Sequence, residues 1–208
     1  MPVLADNRLN PLKLQPHLFS LNCSRNNHRL RGKSMNRRQF ITISTLSVAG
    51  LALGGTVLGN GRDFDLTELY QKLKSLQGKT LASSGDWNPA QIFRHCAQSI
   101  QGSLTGFPLQ KSPFFQHTAG KLALFSFKAA GAMTHPLAEP IPGMAALEPN
   151  EDPQQALTAL LQTLELFIQH SSTGATLAPH FAYGALNTTD YQAAHWLHLH
   201  NHLSQISI

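Results

Sequence analysis

Twice in this chain a helix-capping residue is followed at once by proline and, three positions after the cap, by glutamine: Asn88-Pro89-Ala90-Gln91 and Asp152-Pro153-Gln154-Gln155. The cap oxygen accepts from free N–H groups of the first turn, and proline at the first helical position gives up an N–H that has no helical partner anyway. Glutamine can return a bond to the cap's own N–H. The residues behind each signature repeat at the helical period. Leu157, Leu160, Leu161, Leu164, Phe167 and Ile168 form a continuous apolar stripe. Ile92, Cys96, Ile100 and Ser103 form another, running to about Leu104 with Gly106 beyond.

Three further helices fit the same logic. Asp65-Leu-Thr-Glu68 is a capping box opening a helix to about Leu76, with Leu69, Leu73 and Leu76 on one face and Gly78 as its stop. A segment from about His117 to Ala130 carries Leu122, Leu124, Phe125 and Phe127 and ends at Gly131. A last helix, capped near Thr188 or Thr189, holds four of the eleven histidines. Prolines between Thr134 and Pro149 forbid a regular helix there, and the loop Leu177–Gly184 precedes the last helix. No strand pattern or internal repeat appears. Five helical segments, four of them long, predict an all-α four-helix bundle with a short extra helix and long loops.

The net charge of +5 is misplaced with respect to this body. Nine of the sixteen Lys+Arg fall in residues 1–62 beside one acid, Asp6, so residues 63–208 carry seven basic and ten acidic groups. A nucleic-acid partner is therefore not expected. The leader has a different logic: Asn36-Arg37-Arg38-Gln39-Phe40-Ile41, then an uncharged, mildly apolar run to Asn60, resembles a twin-arginine export signal. Arg37 and Arg38 imply the twin-arginine (Tat) export machinery as a partner and a periplasmic location, with the inner membrane touched only through an uncleaved signal. A single membrane anchor is the rival reading. The expected organisation is a disordered or over-extended stretch 1–34, a signal 35–62 and a helical domain 63–208. With Cys96 its only thiol, that domain has no internal disulfide, and Cys96 reads as a small buried apolar residue.

The last helix holds the chemistry. At about 100° per residue, His195, His198 and His202 share an arc of roughly 60°, while His200 points elsewhere. An i,i+4 histidine pair on a helix suits metal chelation; a merely His-rich polar face is the alternative. His95, in the middle of the second helix between Ile92 and Ser99, should face inward and is the natural partner. His95, His198 and His202 would then form a three-nitrogen site with open positions, suited to Zn²⁺, Ni²⁺ or Fe²⁺. His195 is a fourth ligand, an outer hydrogen-bond donor or a base, with a pocket or outer role favoured. Ser99, His180 and Tyr183 are candidates to line the opening. His117, His135 and His170 show no convergent spacing and receive no role, and Glu139 reads as a surface carboxylate.

Trp87-Asn-Pro-Ala-Gln91-Ile-Phe-Arg-His95-Cys-Ala-Gln98-Ser-Ile100, then Ser103-Leu-Thr-Gly106, resembles the second helix of the DinB/YfiT-like superfamily, and most of all its DUF1569 branch. His198-x3-His202-x2-Gln205 is similar to that family's terminal motif, and the Pro179–Gly184 loop precedes it in the same way. The resemblance implies a four-helix bundle, a divalent metal on His95, His198 and His202, and frequent homodimerisation. Some relatives are metal-dependent thiol S-transferases in the cytoplasm, so the export signal puts a thiol substrate in doubt. Two functions are open: a metal-dependent transferase or hydrolase acting on an unidentified small molecule, or a non-catalytic metal- or ligand-binding bundle of the cell envelope.

Overall fold

The structure is a computed structural model that describes residues 63–208; Arg37, Arg38 and the rest of residues 1–62 lie outside the described residues. The described part is mostly helical. Helix α1 spans Leu66–Lys74 and α2 spans Pro89–Thr105. A short α3, Pro113–Phe115, runs through a π-helical turn, Gln116–Gly120, into α4, Lys121–Ala130. Helix α5 spans Pro153–Ser172 and α6 spans Thr188–Leu203. A small sheet has no counterpart in the sequence pattern: β1, Ala82–Ser83, pairs antiparallel with β2, Ile206–Ser207, in the register Ala82↔Ser207 and Ser83↔Ile206. Two residues are too few to show an alternating pattern.

The helix starts form where the capping chemistry places them. Asn88 makes the full box: the Gln91 N–H donates to its Oδ1 at 3.0 Å and its own N–H donates to Gln91 Oε1 at 3.1 Å. Asp152 caps through the N–H groups of Gln154 and Gln155, both at 2.9 Å. Gln155 closes no box in return, while Gln154 bonds Gly78 and Lys79, tying α5 to the segment just after α1. Helix α6 starts one residue earlier than expected, because Asn187 accepts from the Asp190 N–H at 2.7 Å and so takes the cap from Thr188. Each such cap contributes about 1 kcal/mol.

The core lies between α2 and α5, which share the most extensive helix–helix contact, with α1 and α6 closing it. Leu69 and Leu73 of α1, Ile92, Phe93 and Ile100 of α2, Leu157, Leu160, Leu164 and Phe167 of α5, and Tyr191 and Leu199 of α6 are buried together. Each fully buried Leu, Ile or Phe contributes about 1.5–3 kcal/mol of transfer free energy. Cys96 sits in this core, and burial pushes its thiol pKa far up, so it behaves as an apolar filler.

Helix α4 departs from expectation. Leu124 is buried, but Leu122 and Phe125 are 54% and 63% exposed and Phe114 of α3 is 80% exposed. The reason is that α4 packs chiefly against α6 and the π turn before it, leaving its outer face uncovered among the described residues. The π turn serves a close approach: a Cβ on Gly120 would stand 2.1 Å from the Ala182 carbonyl oxygen, so only glycine lets this segment meet the 180–184 loop. That loop closes on itself, with His180 and Gly184 exchanging backbone bonds of 2.8 and 3.0 Å and Gly184 at φ +71°. No helix among the described residues is long and apolar enough to cross a membrane.

Candidate metal centre

Helices α2 and α6 bring His95, His198 and His202 together: one ring nitrogen from each can be chosen so that all lie within 4.8 Å of one another. His95 Nε2 and His198 Nε2 are 3.1 Å apart. Ring centroids are 5.0 Å apart for His95–His198, 4.7 Å for His95–His202 and 4.6 Å for His198–His202. Imidazoles bound through nitrogen at about 2.0–2.1 Å from one ion place their centroids about 5 Å apart, so the spacing fits one small divalent ion.

Hydrogen bonding supports the same fit. His202 is fully buried, and neither of its ring nitrogens has a hydrogen-bond partner. The Nδ1 atoms of His95 and His198 are also buried and unpartnered. A buried polar group left unpaired costs about 1–3 kcal/mol, and a coordinated ion removes that cost for each lone pair it takes. Burial lowers the His95 pKa to about 4 and the His202 pKa to about 3, with neighbouring imidazoles adding to the shift; His198 moves well below the usual range for the same reasons. The three rings are therefore neutral at physiological pH, the state in which they can ligate.

His95 and His198 form part of the wall of a cavity of about 340 Å³, whereas His202 sits behind them. Much of the remaining lining is apolar, including Phe115, Phe127, Met133 and Ile141, with the exposed side chains of Lys111 and Glu139 adding one charge of each sign. A cavity of this size and character accommodates a small organic molecule. The expected pocket residues Ser99, His180, Tyr183 and His195 all line it.

Residues 62–207 match the family of proteins of unknown function DUF1569. The chain belongs to the DUF1569 family. No curated protein and no solved structure matches it.

Within this DUF1569 domain the structure separates His195 from the three-histidine cluster. His195 shares their helical arc but lies seven residues before His202, about 10 Å along the axis. Its Nε2 meets Ser103 Oγ at 3.0 Å, and Ser103 spends its only proton on the Ile100 carbonyl at 2.6 Å, so His195 must donate. Phe167 packs edge-on to it at 4.8 Å, and burial lowers its pKa to about 3. His195, one turn before His198, thus commits its Nε2 to Ser103 and is a buried polar anchor between α6 and α2 whose ring reaches the cavity wall. His180 is likewise held near 3 by burial; its Nδ1 accepts from the N–H groups of Ala182 and Tyr183 at 3.1 and 3.2 Å. Tyr183 stacks on His180 at 4.2 Å, and burial raises its hydroxyl pKa to about 12. His200 is exposed and stacks on Trp196 at 4.7 Å.

Two members of the DUF1569 site carried no assigned role in the sequence. Trp87 packs on His95 at 4.9 Å and stacks nearly parallel on His202 at 6.2 Å, closing one side of the cluster. Its position just before the Asn88 cap, where an apolar residue ordinarily folds back onto the first turn, is a usable signal. His135, given no role on spacing, comes from the proline-rich loop to lie 5.2 Å from His198 and 5.1 Å from His202 by ring centroid. Loop residues have no period, so no pattern in the sequence announces it. Glu139 is exposed, as expected, yet it lines the same cavity.

Proposed function

We propose that the domain holds one divalent metal ion on His95, His198 and His202 and presents it to a small, largely apolar molecule in the adjoining cavity. The observation that carries this reading is His202, a fully buried imidazole with two unpartnered ring nitrogens facing two other neutral imidazoles. A bound Zn²⁺, Ni²⁺ or Fe²⁺ would supply Lewis acidity to a donor atom entering from the cavity. The chain's own residues supply the rest. Apolar walls exclude water, Ser99 offers a hydroxyl beside His95, and the stacked His180–Tyr183 pair borders the space a ligand enters. This arrangement suits a metal-dependent transferase or hydrolase. The helical architecture and the two-helix histidine set support a four-helix bundle of the DinB-like type.

One observation favours a non-catalytic binding role. Among the residues lining the cavity, Glu139 is the only carboxylate and it is exposed, so no buried carboxylate base faces the three rings. Elemental analysis of untagged protein, beside a His198→Ala/His202→Ala double variant, tests the metal in either role. The expected result is near-stoichiometric metal in the wild type and its loss in the variant. Metal far below stoichiometry in anaerobically purified wild type would remove the proposal.

The twin arginines further support export through the Tat machinery to the periplasm. Arg37→Lys with Arg38→Lys is expected to leave the precursor in the cytoplasm, and periplasmic protein in that variant would overturn the assignment. Homodimerisation is supported by the exposed Phe114, Leu122 and Phe125.

A further inference from the structure

We infer that His135 is a fourth imidazole ligand, delivered to the two-helix histidine site by the proline-rich loop. The inference rests on the metal reading above and extends it to a residue outside both ligand helices. Three observations converge. The His135 ring lies 5.1–5.2 Å from those of His198 and His202, close to the 4.6–5.0 Å that separate the three helical rings from one another. That is the centroid spacing of about 5 Å expected when imidazoles share one ion; the ring nitrogens within 4.8 Å of one another are those of His95, His198 and His202, so His135 would join them by a small inward turn of its ring.

The second observation is the tautomer. His135 Nδ1 lies 2.9 Å from the Pro136 carbonyl oxygen, which can only accept, so Nδ1 carries the ring proton and Nε2 keeps its lone pair. A ligating histidine commonly has one nitrogen fixed in this way by a backbone carbonyl while the other faces the metal. None of the three helical histidines has such a partner on Nδ1.

The third is that His135 Nε2 is buried without a hydrogen-bond partner. An orphaned acceptor costs about 1–3 kcal/mol unless something takes its lone pair. Nearby, the rings of His198 and His202 present unpartnered nitrogens of their own, and none of these groups satisfies the others. A single cation would take one lone pair from each ring, His135 Nε2 among them. Pro136 restricts the backbone at His135 to extended conformations, so the loop presents the ring without a helix. His135 also lines the cavity, so a molecule entering there passes beside it.

Titration of the full, untagged chain with Co²⁺, read by electronic absorption, tests this. His135→Ala is expected to weaken Co²⁺ binding by at least the about 10- to 100-fold that loss of an outer-shell partner costs. His135→Cys is expected to gain a near-ultraviolet thiolate-to-cobalt band that the wild type lacks, although the wild type contains Cys23 and Cys96. Far-ultraviolet circular dichroism confirms that each variant retains its helices. If wild type binds Co²⁺ and His202→Ala does not, while His135→Ala binds as tightly as wild type and His135→Cys shows no new band, the fourth ligand is refuted and the three-histidine site stands. Wild type that binds no Co²⁺ refutes both.

Discussion

Helices α6 and α4 lie against each other and invert the usual relation between residue class and location. Helix α6 buries His195 and His202 alongside Leu197 and Leu199, whereas α4 exposes Leu122 and Phe125. The difference lies in their neighbours. Helix α6 contacts α1, α2 and α4, so nearly every face meets protein; α4 contacts chiefly α6 and the π turn, which leaves Leu122 and Phe125 exposed. Burial in this fold is set by the number of enclosing elements, and polarity is then accommodated locally. On α6 that accommodation is an imidazole cluster suited to a cation. On α4 it is an apolar face that a second protein surface could cover.

The strongest way to break the comparison is to make α6 conventional. His202→Leu is expected to abolish stoichiometric metal binding, measured by elemental analysis. In metal-free protein it should raise stability by about 1–3 kcal/mol, because it removes two buried unpaired nitrogens; urea denaturation reads this. A loss of stability in metal-free protein would mean that His202 has a structural partner. Next, Leu199→Ala in α6 should cost about 2–5 kcal/mol, the usual range for a fully buried leucine. The same truncation at Leu122 in α4 should cost under about 0.5 kcal/mol in the monomer, so equal effects at the two sites would erase the distinction.

Protonation sharpens the contrast further. His180 and His195 have folded pKa values near 3 because burial disfavours the imidazolium, against about 6.5 in the unfolded chain. Below pH 6.5 the unfolded state therefore binds more protons than the folded state. Stability is fully present above that pH and falls as pH drops toward 3. Each residue contributes a slope of up to about 1.4 kcal/mol per pH unit. His195→Gln should reduce the slope between pH 6 and pH 5, measured by urea titration, by about one proton's worth, and an unchanged slope would show that His195 is already charged or already open to water. The smallest effect is expected for Phe125→Ser. Monomer stability should hold within about 0.5 kcal/mol, while sedimentation shifts toward monomer. No change in sedimentation would remove this face as a dimer contact.

Much of this was legible in residue order because helices advertise themselves. Asn88, Asp152 and Asp65 mark helix starts through chemistry confined to four consecutive residues, and Leu157 through Phe167 repeat at the helical period. The pairing of His95 with His198 and His202 was readable for the same reason, since spacing fixes which face each ring occupies. Three things were hidden. The angular arc that groups His195 with His202 takes no account of rise along the axis, and that rise carries His195 to Ser103. The apolar residues of α4 suggested a buried face because a sequence does not record how many neighbours a helix has. His135 reaches the cluster through loop geometry, which depends on tertiary packing and leaves no periodic trace.

The two-residue ladder between β1 and β2 acquires a kinetic meaning in this setting. His202 stands in the final turn of α6, where helices ordinarily fray. Immediately beyond that turn, the Ser84 N–H donates to the Gln205 carbonyl at 3.0 Å and the strands pair Ala82 with Ser207 and Ser83 with Ile206. The ladder therefore ties down the end of α6, and an ion held by His202 in the proposed site would be released more readily where that pairing opens. Loss of those main-chain bonds, in the chain segment just before Trp87, would then shorten residence at the site without touching the ion or any ligand.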